Sequence, residues 1–231
     1  MRRMNSTLFL VPVPMGNYKD ITLRALDVLQ NADIIICEEY KEARRLFAKL
    51  NIEPKELLSV NEHNEEEDSG EIINRILSVK NSVLISDAGS PVFSDPGNYL
   101  VSQALERNIN VVPLPGANSV ITALIGSGLN LNSFYFAGWL PQKKDLRKEK
   151  LRKLKTIKEL IVLMETPYRL KKLLAEVNSV FGKEQSIVLA YNLTMEDEKF
   201  FRGKIGKILK FAEEKNLKGA FILMIENRRR I

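Results

Sequence analysis

Four short apolar runs constrain the first half of the chain: LFLVPV (8–13), ADIIIC (32–37), SVLIS (82–86) and INVVPL (109–114). They are rich in branched residues and show little polar alternation. A strand with one wet face alternates in polarity; a strand that does not alternate is covered on both faces, the mark of a parallel sheet. Helical patterns lie between the runs. After Asp20, which reads as an N-cap, Ile21, Ala25, Val28 and Leu29 share one helical face. Residues 64–79 and 98–107 also carry helical patterns, the first opening on the acidic patch EEED (65–68), which suits a helix N-terminus. Strand–helix–strand repetition predicts an open α/β sheet with right-handed crossovers.

The segment PLPGA near residue 115 holds two Pro and a Gly and is the expected hinge. It divides the chain into an N-terminal α/β subdomain (1–115) with a mainly parallel sheet and a C-terminal α/β subdomain (116–231). In the second half the strand candidates are SFYFAG (133–138), ELIVLME (159–165), SIVLAY (186–191) and AFILMIE (220–226). Leu170, Leu173, Leu174 and Val177 form one helical stripe, and Ile205, Ile208, Leu209 and Ala212 another. EKFFRGKI adds a strand and a turn close to the last two candidates, so a mixed sheet is expected there.

Composition removes several function classes. Cys37 is the single cysteine, which excludes a disulfide framework, and with one histidine in the chain no metal site is expected. The opening MRRMNSTLFLVPVP has an apolar run too short for a signal peptide and broken by Pro12 and Pro14. No apolar stretch approaches the roughly 20 residues of a membrane span. A soluble cytoplasmic protein with no membrane partner is the expectation. Neither a dinucleotide fingerprint, a phosphate-binding P-loop nor a nucleophile elbow is present. The net charge of +6 admits an acidic partner such as RNA, and is equally ordinary for a soluble protein.

The loop DAGSPVFSDPG (87–97) follows a strand, and ligands in open α/β sheets bind outside the carboxyl ends of strands. Gly89 admits a left-handed turn, Ser90-Pro91 an extended one, and Asp95-Pro96 reads as N-cap and first residue of the next helix. Turn chemistry alone accounts for such residues. Two sharp bends in so short a stretch also leave room for a binding loop.

Five segments in order, LFLVPVPMGNYKDITLRALDVLQNAD, NEHNEE, LISDAGSPVFSDPG, VVPLPGANSVITAL and FYFAGWLP, resemble the tetrapyrrole methylase superfamily of S-adenosylmethionine-dependent methyltransferases. They are most similar to its ribosomal RNA small-subunit methyltransferase I branch, which methylates a ribose 2′-hydroxyl. The resemblance implies two α/β halves with the cofactor S-adenosyl-L-methionine in the cleft between them. It implies cofactor contacts from Pro14, Met15 and Gly16 after the first strand. The loop would add Ser90, Val92, Phe93 and Ser94. Asn118 and Ser119, then Met164, Asn192, Leu193 and Ala220, would complete the set. It also implies a homodimer.

Transfer to a hydroxyl needs a group to take its proton. Glu38 and Glu39, after the second strand, and Asp87 in the loop are the catalytic candidates. A helix N-terminus accounts equally well for the glutamate pair. His63, in NEHNEE, is a candidate substrate contact or a structural turn residue. QKKDLRKEKLRKLKTIK (142–158) carries nine Lys or Arg against two acidic residues, with Leu151, Leu154 and Ile157 as an apolar seam. It suits a helix tracking RNA phosphates or a solvated face, and the terminal RRR (228–230) adds weakly to the former. The sequence departs from the branch in CEEYKEARR, where E-D-T-R is usual, at Tyr168 where a His is usual, and at Ala220 where an acidic residue is usual. It also ends at Ile231 without the extra segment of longer members. The expected partner is ribosomal RNA or the small ribosomal subunit. The alternatives are a superfamily methylase with another acceptor, a tetrapyrrole or a protein side chain, and a cofactor-binding RNA-associated protein without turnover.

Overall fold

In the computed structural model, which describes residues 6–53 and 56–227, the chain divides between Asn118 and Ser119 into two compact units, each with its own five-stranded sheet. The basic start (1–5) and the RRR tract lie outside the described residues.

The first sheet contains β1 (Thr7–Leu10), β2 (Ile34–Cys37), β3 (Glu56–Ser59), β4 (Asn81–Leu84) and β5 (Asn110–Pro113), all parallel, in the order β3-β2-β4-β1-β5. Strand β2 shows why the apolar runs lack alternation. Ile35 and Cys37 point into a core with α1 (Leu23–Gln30) and α2 (Tyr40–Leu50). Ile34 and Ile36 point into the opposite core with α3 (Glu65–Leu77) and α4 (Asn98–Glu106). Both faces are sealed, and each buried Ile contributes on the order of 2 kcal/mol. Strand β3 went unanticipated: its residues are all half-buried, and Glu56 is paired with Arg75 of α3.

Two helix starts differ from expectation. Asp20 closes a 3-10 turn (Tyr18–Asp20), and the N-cap of α1 is Thr22, whose hydroxyl accepts from the Ala25 N–H at 3.0 Å. Ile21 therefore precedes the helix. Asp95 does not cap α4 either. The chain enters that helix through Gly97, at φ 116°. A carboxylate from α3 does the capping: Glu65 Oε1 accepts from the N–H groups of Gly97 (3.0 Å), Tyr99 (2.6 Å) and Leu100 (3.2 Å). A negative group on these orphan donors also meets the positive end of the helix dipole. Glu65→Ala is expected to cost about 1–2 kcal/mol, and Glu65→Gln less, read as a shift of the urea unfolding midpoint. Equal midpoints for Glu65→Ala and the unmodified protein would return the capping role to the loop.

The second sheet has β6 (Phe134–Trp139), β7 (Leu160–Glu165), β8 (Ser186–Tyr191), β9 (Lys199–Lys204) and β10 (Phe221–Glu226), in the order β6-β7-β10-β8-β9. Only the β6–β7 pair is parallel, so the sheet is mixed, as the sequence predicts. One face packs on α6 (Lys144–Leu154), α7 (Leu170–Phe181) and α8 (Ile205–Glu214). The other packs on α5 (Ser119–Ser127). The end of α5 is held by Arg202, whose Nε donates to the Ser127 carbonyl at 3.0 Å while its guanidinium lies 4.9 Å from the Phe200 ring centre. A cation on the last carbonyls of a helix offsets their negative potential.

Candidate functional site

The order of the first sheet fixes where a ligand would sit. Strands β1 and β4 are neighbours, yet α1, which follows β1, and α4, which follows β4, pack on opposite faces. That is a topological switch point, where the loops leave a crevice at the carboxyl edge. The loops after β1 and β4 flank it and are tied together: Val13 and Gly89 exchange backbone hydrogen bonds of 2.8 and 3.0 Å.

Several residues implied by the resemblance meet here. A side chain on Gly89 would touch the Met15 sulfur and the Ala117 carbonyl oxygen, at 3.9 and 3.7 Å. Ser90 Oγ donates to the Ala117 carbonyl at 2.9 Å and accepts from Asn118 Nδ2 at 3.4 Å. Pro14 is buried, and Met15 and Gly16 lie at the rim. The loop then carries strain. Val92 has φ 71° and Ser94 φ 65°. A left-handed β-branched residue costs of order 1–3 kcal/mol and persists only where the surroundings impose it, which occurs mostly at ligand sites. Phe93, between them, is 40% exposed, a large apolar surface beside polar groups.

The carboxylates occupy the same edge. Glu38 follows β2 and is half-buried; burial first, then the charges of Asp87 and Asp95, push its pKa up to about 7. Burial and then Asp87 raise Asp95 to about 6. Asp87 is also raised, chiefly by burial, although it accepts the Glu39 N–H at 3.3 Å. Glu39 is exposed and opens α2 without a side-chain cap bond. Cys37 is buried and its thiol is pushed up to about 12, mainly by burial, so it stays protonated as core filling. His63 sits in an exposed turn, its N–H donating to Asn61 Oδ1 at 3.0 Å. Asp95, as the third carboxyl of the set, went unrecognised in the sequence because its cap-like setting masked it.

In the second unit, Met164, Asn192, Leu193 and Ala220 come to one edge of the sheet. Strand β10 runs antiparallel to both β7 and β8, so its start lies beside their ends. Asn192 N–H donates to the Ala220 carbonyl at 2.8 Å, and Met164 and Leu193 join one apolar cluster with Val120 of α5, next to Ser119. This loop is strained as well, with Asn192 at φ 46° and Thr194 at φ 67°. Thr194, whose N–H donates to Glu198 Oε2 at 2.7 Å, had no sequence signal beyond its neighbours. The strands are held close by Gly219, whose N–H donates to the Tyr191 hydroxyl at 3.0 Å. A Cβ on Gly219 would overlap the Asn192 carboxamide and the Tyr191 ring. Gly219→Ala is therefore expected to displace Asn192 and cost about 1–3 kcal/mol, read as a shift of the urea unfolding midpoint. An unchanged midpoint would show that the loop absorbs the added methyl without strain.

In the first unit, the exposed Phe93 ring and half-buried Met15 offer apolar surface and the Ser90 hydroxyl and Asn118 carboxamide polar partners, while Val92 packs against the core; such groups suit an adenosyl and methionyl ligand. Among the described residues there is no cluster of three metal-ligating side chains.

Residues 7–209 match the sequence pattern of the family described as Tetrapyrrole (Corrin/Porphyrin) Methylases. The chain belongs to the tetrapyrrole methylase family. It is accordingly a methyltransferase, with S-adenosylmethionine as its methyl donor. Similar curated proteins include one from Bacillus subtilis, named ribosomal RNA small subunit methyltransferase I, 40% identical over 95% of this chain and 74% of its own length. A protein of the same name from Micromonospora olivasterospora is 37% identical over 96% of this chain and 70% of its own length. Among solved structures, a diphthine synthase has a TM-score of 0.74 at 16% identity, covering 95% of this chain and 89% of its own. The uroporphyrin-III C-methyltransferase of Thermus thermophilus, solved with S-adenosyl homocysteine, has a TM-score of 0.66 at 15% identity, covering 95% and 96%. At such identities they show a shared methylase fold.

Proposed function

We propose that this tetrapyrrole methylase transfers a methyl group to a ribose 2′-hydroxyl of small-subunit ribosomal RNA. The observation that carries this reading is the 37–40% identity, over almost the whole chain, to proteins named for small-subunit ribosomal RNA. We assign donor binding in the first unit to the Pro14–Gly16 turn, Ser90, the Val92–Ser94 stretch and Asn118. In the second unit we assign it to Ser119, Met164, Asn192, Leu193 and Ala220. The bound donor supplies a methyl group activated by a sulfonium. Loop rigidity positions the acceptor oxygen and excludes water. Glu38 takes the hydroxyl proton, because its environment sets it near neutrality; Asp87 is engaged with the Glu39 backbone, and Glu39 is exposed. The ribose acceptor and a homodimer are proposed on the strength of the family resemblance.

Transfer of labelled methyl from S-adenosylmethionine to immature small ribosomal subunits, to free ribosomal RNA and to a tetrapyrrole tests this reading. Label is expected in RNA, at a 2′-O-methyl nucleotide after hydrolysis. Label in the tetrapyrrole alone would move the activity to another acceptor. Donor binding with no incorporation would leave a non-catalytic RNA-associated protein.

A further inference from the structure

The basic segment is not uniformly available to a partner. Arg147 of α6 is buried beneath it, its Nε and Nη2 paired with the Glu176 carboxylate of α7 at 2.7 and 2.8 Å. Its Nη1 donates to the Gln142 carbonyl at 3.1 Å. This bridge fixes α6 against α7. Above it lies a groove of about 450 Å³ lined by Lys148, Arg152, Lys155 and Lys172, with the Ser179 hydroxyl at its side. Its one acidic lining residue, Glu176, is already neutralised by Arg147.

The outer side of α6 is treated differently. There Lys153 meets Glu149 at 2.7 Å, one turn away. Lys148 and Arg152 are also one turn apart, with no acidic partner among the described residues, and face Lys172 across the groove. Like charges at that spacing cost a few tenths of a kcal/mol per pair. Lys155 is partly committed, its Nζ donating to the Val180 carbonyl at 2.8 Å. Three cations thus line one groove without an acidic ion-pair partner among the described residues.

We propose that this α6–α7 groove binds the phosphodiester backbone of the RNA substrate, with Lys148, Arg152 and Lys172 as its phosphate contacts and Arg147 as the residue that fixes their spacing. The inference rests on the proposed RNA acceptor and adds where the strand is held. Phosphate contacts carry affinity and salt dependence without reading sequence. A groove held open before binding avoids part of the ordering cost.

The test compares the unmodified protein with a Lys148→Ala, Arg152→Ala, Lys172→Ala variant. Its control is a Lys207→Ala, Lys210→Ala, Lys215→Ala variant, which removes the same charge from exposed positions on and beside α8. Binding of a small-subunit ribosomal RNA fragment is followed by fluorescence anisotropy across a salt series. Donor binding is followed by calorimetry. The groove variant is expected to bind RNA about tenfold more weakly near physiological salt, with the log–log salt slope reduced by about 2. Donor affinity should not change, and the control should stay near the unmodified protein. Equal loss in both variants, no RNA binding by the unmodified protein, or inorganic phosphate bound in the groove with RNA affinity unaltered would each overturn the proposal. RNA binding that depends on the groove without methyl transfer would sink the functional reading alone. Methyl transfer with an unaffected groove variant would sink the groove alone.

Discussion

Glu38→Gln is expected to lower the turnover number at least 100-fold at pH 7.5 while leaving donor affinity within about twofold, the usual scale for a lost proton acceptor. Gln keeps the shape and the carbonyl oxygen and removes the ability to hold the proton. Asp87→Asn should cost less, since Asp87 acts through the Glu39 N–H and the charge it presents to Glu38. The pH profile separates these roles. With Glu38 at about 7, turnover should rise through that pH and then level off. Asp87→Asn removes a neighbouring negative charge, lowers the Glu38 pKa and moves the rise to lower pH. A profile unchanged by Asp87→Asn, or a Glu38→Gln enzyme of near-normal rate, would take Glu38 out of the chemistry.

The same carboxyl has a stability signature of definite sign. Unfolded, Glu38 titrates near 4.5; folded, near 7. The folded chain therefore holds a proton that the unfolded chain has released. Its contribution to stability is fully present below about pH 4.5 and is lost as the pH rises through about 7. Asp95 adds to the trend, from 3.8 to about 6. The stability these two carboxyls contribute should fall between about pH 4 and 7 and level off above, and Glu38→Gln should flatten that fall. A site tuned for proton transfer is expected to be less stable than the same fold with a neutral residue there.

What was legible in the sequence was whatever a local pattern dictates. Both-face burial wrote itself into IIIC and SVLIS, and the alternation of Leu163 and Val162 between two cores kept β7 visible. Strand β3 was not legible, because its charged first residue and half-buried face look like a loop until Arg75 is brought to it. The start of α4 misled for a related reason: its cap is Glu65, far back in the chain, while the local Asp95 imitates one. Glu38 was readable as a candidate and no further. Its tuning comes from burial first and then from Asp87 and Asp95, which only the folded β2–β4 neighbourhood delivers. The loop residues Ser90 and Asn118 were placed by resemblance, and their mutual hydrogen bond belongs to the folded chain alone.

The nine cations of residues 142–158 look alike in sequence, and folding makes one of them structural. Glu176→Ala is expected to destabilise the protein by about 3–5 kcal/mol, among the largest losses available to one surface-adjacent change. Removal of that carboxylate leaves the Arg147 guanidinium in the core with only the Pro141 and Gln142 carbonyls. A buried charge without its counter-ion costs far more than the intact pair contributes. A guanidinium does not shed its proton at neutral pH even when stranded, so deprotonation offers no escape. Arg147→Ala should cost a comparable amount, because it strands the Glu176 carboxylate and empties the space of a fully buried side chain. The double change Arg147→Met with Glu176→Leu separates pairing from packing. It removes both charges and keeps apolar bulk, and is expected to recover most of the loss, as replaced buried pairs do. It should nonetheless fail to restore RNA affinity fully if the bridge sets the spacing of Lys148, Arg152 and Lys172. Urea unfolding of the singles and the double gives the coupling energy. Additive losses would reduce the bridge to an ordinary surface contact.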